Sequence, residues 1–284
     1  STPFRETNWM GFTRSGASPR QAYLYTERIL DMIVAWTAAN FPQLSTTKRY
    51  CGGGSKGAWG TLTYAIRRPS MFAALYPSRP KWRWDSSGNS TRFMDWDSGE
   101  IVSATGAAPI LVADDGGYST QVHQDIISYV ANTANQIPWI GWSVGRNDGY
   151  MPFQDHVDAV TALRAAGRGF AFAWNNGNHS TGDLITTHIQ NSYSYGMFEV
   201  GKGYPIYTNS SRDQNPAVDL EGGINLGFSH RNVVESASSW SCQVTNILGA
   251  TTVTVRPKSA VYTGPTTPQI INIPAGTWVT VTFT

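Results

Sequence analysis

Apolar and polar positions along the first 180 residues follow patterns that predict helices and strands in turn. Four segments carry apolar residues at helical spacing and are predicted helices: residues 21–40, 58–69, 120–134 and 154–166. Short apolar runs predict buried strands at residues 48–53, 72–76, 137–144 and 169–174. Strands that alternate with helices predict a mainly parallel sheet covered on both faces, which is the α/β class.

Two parts of the chain depart from this alternation. Residues 77–117 show no regular period and are rich in Ser, Gly, Asp and Trp, so we expect a cap-like insert there, with one short strand at residues 109–113. From residue 204 onward, alternation with period two between Pro and Gly turns predicts an antiparallel β-sandwich. The predicted domains are therefore an α/β domain over residues 1–203, which includes the insert, and a C-terminal β-sandwich domain over residues 204–284.

Candidate chemistry begins where the second predicted helix starts. Gly53, Ser55 and Gly57 match the pattern G-x-S-x-G, in which small residues let the chain turn sharply from strand to helix and expose the Ser hydroxyl above a sheet. A predicted strand precedes Ser55 and a predicted helix follows it, as this pattern requires. We therefore predict that Ser55 is a nucleophile and that the backbone N–H of Lys56, at the helix start, donates to a developing oxyanion.

Such a nucleophile needs an acid and then a His after later strands of the sheet. Asp148 follows the predicted strand 137–144, and His179 follows the predicted strand 169–174. Both residues therefore lie at the carboxyl ends of strands, where open α/β sheets bind their ligands. The chain order Ser55, Asp148, His179 predicts a catalytic triad.

The other candidates fit these roles less well. Four further histidines lie on or near predicted helices or in the β domain: His123, His156, His188 and His230. The pair Asp114-Asp115 is an alternative acid, but Asp148 follows a better-defined strand. His179 and Asp148 therefore stay the preferred pair.

Composition and charge narrow the function classes. The 284 residues contain 21 Lys and Arg against 19 Asp and Glu, without runs of like charge, which argues against nucleic-acid or membrane-surface partners. No apolar run approaches the roughly 18 to 20 residues of a membrane helix. No metal-ligand or phosphate-loop spacing is present, so we expect no metal or other cofactor. The low charged fraction, 14%, favours a secreted, extracellular protein. Two cysteines do not make a disulfide framework, so free thiols are preferred for Cys51 and Cys242, and a bridge between them is the alternative.

On these residues the chain resembles the α/β-hydrolase superfamily, and residues 49–179 resemble its esterase, polyester-depolymerase and prolyl-oligopeptidase-like branch. The resemblance implies hydrolysis of carboxylic esters, or less often of peptides, through an acyl-enzyme. It assigns nucleophilic attack to Ser55, proton relay to His179 and orientation of the imidazole to Asp148. Residues 219–283 also resemble β domains appended to some bacterial secreted hydrolases.

The chain departs from that superfamily ahead of the nucleophile. In the superfamily several strands precede the nucleophile strand, and a loop among them donates the second oxyanion N–H. Here a single helix and a single strand are predicted before Ser55, so we expect a sheet that is incomplete on its N-terminal side. Because an exposed parallel edge is a liability, we predict a companion N-terminal fragment or subunit that completes the sheet.

Three functions stay open at this stage. The first is a serine esterase whose ester substrate is a carbohydrate or a polymer, with Trp82, Trp84 and Trp96 of the insert binding its rings or surface. The alternative for these tryptophans is that they pack the insert. The second function is a serine peptidase of the prolyl-oligopeptidase type. The third is a non-catalytic adhesion or structural protein on a hydrolase scaffold, which the incomplete sheet favours.

Overall fold

The computed structural model of the chain describes residues 12–14, 21–83, 92–95, 101–103, 111–112, 123–181, 189 and 197–284. The helices are α1 Tyr25–Asn40, α2 Lys56–Gly60, α3 Ile126–Ala131 and α4 Phe153–Ala165, and a π-helical turn, Thr61–Ala65, continues α2. The strands are β1 Phe12–Arg14, β2 Gln21–Tyr23, β3 Tyr50–Gly54, β4 Ala74–Ser78, β5 Arg92–Asp95, β6 Ile101–Ser103, β7 Leu111–Val112, β8 Trp139–Gly145, β9 Phe170–Asn175, β10 Tyr204–Thr208, β11 Gly222–Ile224, β12 Phe228–Glu235, β13 Trp240–Asn246, β14 Thr251–Lys258, β15 Gln269–Ile273 and β16 Val279–Phe283.

The chain divides into two compact units, residues 1–46 with 82–129 and residues 47–81 with 130–284. The first unit contains α1, residues 126–129 of α3 and a small mixed sheet of order β6-β5-β1-β2-β7. Strand β7 coincides with the short strand predicted at residues 109–113. The predicted domain boundaries, including the limits of the insert, stay predictions.

The second unit is built around a five-stranded sheet of order β11-β9-β8-β4-β3. Strands β3, β4, β8 and β9 are parallel, and β11 is antiparallel to β9. Every residue of β8 is buried, as expected for a central strand. Trp142 on β8 stacks on Phe172 of β9 with ring centroids 4.7 Å apart, and His156 from α4 stacks on the same phenylalanine. The predicted mainly parallel α/β sheet is confirmed.

Strand β3, which leads into Ser55, lies at an edge of this sheet. It pairs with β4 in parallel register, with Gly54 opposite Ser78. Within the part of the chain that the structure describes, no strand pairs with the other side of β3. This arrangement agrees with the expectation of a sheet that is incomplete on the N-terminal side.

The C-terminal region forms two small antiparallel sheets, of orders β10-β14-β15 and β12-β13-β16. Alternate side chains of both sheets meet in one hydrophobic core, including Val244, Val253, Val255 and Val281. The predicted antiparallel C-terminal β structure is therefore confirmed. Strand β11 also comes from this part of the sequence, but it joins the main sheet instead.

Three predicted helices have different bounds in the structure. The first begins at Tyr25 and not at residue 21, because Gln21–Tyr23 form strand β2. The helix after Ser55 changes to π geometry at Thr61, where the hydroxyls of Thr61 and Thr63 donate to the carbonyls of Gly57 and Trp59 at 2.9 and 3.0 Å. Such bonds compete with the regular helical ladder. Within the predicted helix 120–134, residues 123 and 124 are helical, Asp125 interrupts the helix, and α3 runs from Ile126 to Ala131. The Asp125 carboxylate caps α3 by accepting from the Ser128 N–H at 3.0 Å, and residues 120–122 lie outside the described residues.

Candidate active site

Ser55 lies on a sharp turn between β3 and α2. Its backbone has φ 54° and ψ −116°, which non-glycine residues rarely adopt. Its N–H donates to the Ser78 carbonyl at 2.9 Å, and its carbonyl accepts from the Trp59 N–H at 3.0 Å. The two bonds connect Ser55 to the neighbouring strand β4 and to the first turn of α2. The sharp strand-to-helix turn predicted from the sequence pattern is therefore present at Ser55. Lys56 is the first residue of α2, as the oxyanion prediction requires.

The glycines of this turn are not equivalent. A Cβ on Gly53 would lie 2.5 Å from the backbone carbon of Gly57, whereas a Cβ on Gly57 would meet nothing within 4 Å. The backbones of β3 and α2 therefore approach closely at Gly53, and a side chain there would force them apart. The motif depends on glycine at its first position much more than at its last.

Asp148 lies in the turn that follows β8. Its Oδ1 accepts from the backbone N–H groups of Tyr150 and Met151 at 2.9 and 3.1 Å, and its own N–H donates to the Gly145 carbonyl. Its side chain has no exposed surface. These bonds leave Oδ2 of a fixed, buried carboxylate directed at one further donor.

That donor is His179, which follows β9. Its Nδ1 is 2.7 Å from Asp148 Oδ2, and its Nε2 is 2.8 Å from Ser55 Oγ. A carboxylate only accepts, so the tautomer that satisfies both contacts carries its proton on Nδ1 and accepts from the Ser55 hydroxyl at Nε2. The His179 side chain is 24% exposed, so a solute can reach it. The structure thus brings together the three residues that the sequence selected, at the carboxyl ends of β3, β8 and β9.

The loops that carry Asp148 and His179 are joined by Asn147. Its N–H donates to the Gly177 carbonyl at 2.9 Å, and its side-chain amide donates to the Asn176 carbonyl at 2.8 Å. The sequence analysis did not select Asn147. Its position next to the candidate acid, at the end of a predicted strand, was the available signal.

Tyr150 is a second residue that the sequence analysis missed. Its ring meets the His179 imidazole edge-on, with centroids 5.1 Å apart and planes at 66°. The residue is 64% exposed, so this aromatic surface flanks the base on the solvent side. An aromatic residue two positions after the candidate acid was the available signal.

The other histidines that the structure describes have different surroundings. His156 is fully buried in the core, where its Nδ1 accepts from Trp142 Nε1 at 3.2 Å, and burial lowers its pKa to about 3. Burial likewise lowers the pKa of His230 to about 3. In the first unit, His123 Nε2 is 3.2 Å from a buried Glu27 carboxylate oxygen. None of these three contacts Ser55 in the described part of the chain, while His188, Asp114 and Asp115 lie outside it.

Of the three predicted substrate-binding tryptophans, only Trp82 lies within the described residues, and it is fully buried. Trp84 and Trp96 lie outside them. A substrate role for this group stays a prediction.

Cys51 and Cys242 are free thiols. Cys51 lies on the nucleophile strand, and burial raises its pKa; burial raises the pKa of Cys242 to about 12. No group of three metal-ligating side chains occurs among the residues described, and no helix among them is long and apolar enough to cross a membrane.

Over somewhat more than half of its length the chain is similar to three solved structures. One is the fluorophosphonate-binding serine hydrolase FphF of Staphylococcus aureus, with 19% identity and a TM-score of 0.38 over 55% of this chain and 56% of that one. A second is the S-formylglutathione hydrolase FrmB of Staphylococcus aureus, with 18% identity and a TM-score of 0.34 over 55% and 53%. The third is dipeptidyl peptidase 4 of Porphyromonas gingivalis, with 18% identity and a TM-score of 0.39 over 65% and 22%.

This chain therefore spans little more than half the length of the first two structures. No family profile matches the sequence, and no curated protein matches it.

Proposed function

We propose that this protein is a serine hydrolase that cleaves carboxylic esters through an acyl-enzyme on Ser55. The observation that carries the proposal is the continuous hydrogen-bonded chain from Ser55 Oγ through His179 to Asp148, with links of 2.8 and 2.7 Å. A nucleophile, a base and an orienting carboxylate in this geometry are the elements of the Ser-His-Asp mechanism.

In the proposed reaction Ser55 Oγ attacks the ester carbonyl while its proton passes to His179 Nε2. The imidazolium that forms is stabilised by the Asp148 carboxylate at 2.7 Å. Collapse of the tetrahedral intermediate breaks the bond to the alcohol, which leaves with the proton from Nε2. Water then repeats the sequence on the acyl-enzyme, with His179 as base, and releases the carboxylic acid and free Ser55.

The negative oxygen of each tetrahedral intermediate needs hydrogen-bond donors. We assign one of them to the backbone N–H of Lys56. In support, the first i to i−4 hydrogen bond of α2 runs from the Trp59 N–H to the Ser55 carbonyl. Lys56 therefore lies in the first turn of this helix, before the intrahelical ladder begins. Because this N–H belongs to the residue after the nucleophile, any shift of the Ser55 turn displaces both groups together.

The substrate class is proposed from the surroundings of His179. The exposed ring of Tyr150 lies beside the base and offers a flat apolar surface, which we assign to the leaving group of the substrate. Such a surface suits esters whose alcohol is bulky or forms part of a carbohydrate or polymer. The resemblance implies hydrolysis of esters more often than of peptides. Because the same triad cleaves both bonds, the choice between them is left to activity on the two kinds of substrate.

The test is a matched panel of p-nitrophenyl esters and p-nitroanilides that share the same acyl group. We expect ester hydrolysis with a burst of alcohol equal to the amount of enzyme, and its loss in Ser55→Ala. Ser128→Ala, which changes an exposed serine on α3, should match the wild type. Amide hydrolysis at a rate equal to that of the esters would favour the peptidase instead.

The edge position of β3 supports a second candidate, a non-catalytic binding or structural protein on the same scaffold. An incomplete sheet is a feature that a binding role tolerates more readily than an active site does. This candidate predicts no burst with any ester, and the same rates for Ser55→Ala as for the wild type.

We also propose that another polypeptide, an N-terminal fragment or a separate subunit, pairs with β3. Ala73 donates to the Arg49 carbonyl and Ser55 donates to the Ser78 carbonyl, so the odd-numbered residues of this strand face β4. In a parallel ladder the backbone groups of Gly52 and Gly54 then point to the open edge. Intact-mass analysis of native material should find a companion, whose binding slows amide exchange at these glycines. Full activity in a lone chain, with fast exchange there, would contradict the proposal.

We further propose that the protein is secreted, because its low charged fraction is typical of extracellular proteins. Immunodetection in culture medium and cell extracts tests this proposal. Protein found only in the extract would contradict it.

A further inference from the structure

Arg79 links the nucleophile side of the site to the loop of the base. It is the first residue after β4, and its N–H donates to the Ser143 carbonyl of β8 at 2.7 Å. Its guanidinium group donates through Nη1 to the backbone carbonyl of His179 at 2.6 Å. A charged donor at this distance makes one of the stronger kinds of hydrogen bond.

The same guanidinium group lies against the residue that precedes the nucleophile. A Cβ placed on Gly54 would be 3.2 Å from Nη2 of Arg79, closer than ordinary van der Waals contact. One half-buried side chain therefore approaches Gly54 and holds His179, whose Nε2 is hydrogen-bonded to Ser55.

The backbone of Arg79 gives an independent reason to assign it a role. Among the described non-glycine residues with positive φ, three are asparagines, which tolerate this conformation. The other two are Ser55 at φ 54° and Arg79 at φ 57°. They follow the neighbouring strands β3 and β4, and strained conformations of this kind persist where the surroundings hold them, often at functional sites.

We propose that Arg79 is a positioning residue that holds His179 in line with Ser55. This inference rests on the proposed hydrolase function. On the side of β8, Asn147 fixes the base loop through Gly177 and Asn176. Arg79 fixes the same loop on the side of β4, next to the nucleophile strand, through its bond to the His179 carbonyl. Because the loop is hydrogen-bonded on both sides, Nε2 stays within hydrogen-bonding distance of Ser55 Oγ through the proton transfers.

The variant Arg79→Gly tests the role with little risk to the fold, because glycine adopts φ 57° without strain. Loss of the bond frees the His179 loop on one side, and a displacement of about 1 Å can cost about 100-fold in rate. We expect kcat and the rate of Ser55 phosphonylation by a fluorophosphonate to fall about 10- to 100-fold, with KM within about twofold of the wild type.

Two further measurements separate positioning from a purely structural role. Dilute guanidinium chloride should restore part of the phosphonylation rate of Arg79→Gly, while sodium chloride of the same ionic strength should not. Arg79→Lys keeps the charge but loses the planar fork, so we expect an intermediate rate. The control Asn232→Gly changes another residue with positive φ, at 54° on β12, and should match the wild type.

The outcomes distinguish this inference from the proposed function. A wild-type protein that does not react with the fluorophosphonate overturns the hydrolase proposal, and the role of Arg79 with it. If the wild type reacts, and Arg79→Gly and Arg79→Lys both react at the wild-type rate, the inference alone is overturned. A third outcome also overturns the inference. In it the phosphonylation rate falls equally in Arg79→Gly and Arg79→Lys, guanidinium does not restore it, and both variants lose thermal stability. Arg79 would then stabilise the fold and not position the base.

Discussion

Replacing Asp148 with asparagine probes the proposed mechanism at a buried position. Oδ1 of Asp148 already accepts from the N–H groups of Tyr150 and Met151. An asparagine would keep its carbonyl oxygen there, because its amide group cannot accept, and would direct its NH2 at His179. Nδ1 must then accept, so the ring proton moves to Nε2. An imidazole with a proton on Nε2 cannot take the proton of Ser55.

The expected magnitude follows from this change of tautomer. The comparable substitution in a serine protease lowers kcat about 10⁴-fold, which corresponds to about 5.4 kcal/mol in the activation free energy. We expect a loss of similar size in ester hydrolysis by Asp148→Asn, with a modest effect on thermal stability, since the asparagine keeps the shape and the two backbone bonds. Asp158→Asn on α4 is the matched control and should retain wild-type activity.

The assay is steady-state ester hydrolysis with thermal unfolding measured on the same samples. A folded Asp148→Asn variant with activity within about threefold of the wild type would refute the assigned role, because a base in the wrong tautomer cannot sustain that rate.

Three other predictions follow from single features of the structure. Gly53→Ala should abolish ester hydrolysis and destabilise the fold, because its Cβ would lie 2.5 Å from Gly57, whereas Gly57→Ala should be tolerated in both assays. Tyr150→Ala should raise KM for esters of bulky alcohols with little change in kcat, and an unchanged KM would contradict its role as a leaving-group surface. The pKa of His230 is lowered to about 3 by burial, so the unfolded chain binds its proton first as pH falls, and stability is lost from about pH 6.5 toward pH 3. His230→Phe should flatten this part of the curve of unfolding free energy against pH, and an unchanged slope would contradict the assignment.

Much of the site could be predicted from the sequence because its parts have local signatures. The turn at Ser55 requires a glycine at position 53, a strand before it and a helix after it. Each of these three features can be recognised in the sequence. Asp148 and His179 each follow an apolar run that forms a parallel strand. Parallel strands bring their carboxyl ends to one edge of a sheet, so residues far apart in sequence could be placed together before any distance was known.

The features that were missed depend on long-range contacts without a local pattern. Arg79 donates to a carbonyl 100 positions away, and the sequence around it has no pattern that predicts this contact. Strand β11 is only three residues long and carries no alternation, so nothing in the sequence assigned it to the main sheet. The change from α to π geometry at Thr61 accompanies hydrogen bonds from threonine hydroxyls to backbone carbonyls. The sequence does not show which carbonyls accept these bonds, because that depends on the packing of the folded chain.

The most direct test of the central claim is the reaction of the purified protein with a fluorophosphonate, followed by intact-mass analysis and peptide mapping. The triad geometry predicts one adduct per chain on Ser55, absent in Ser55→Ala and slowed strongly in His179→Gln. An unmodified protein, or an adduct on a different residue, would contradict the assignment of Ser55 as the nucleophile.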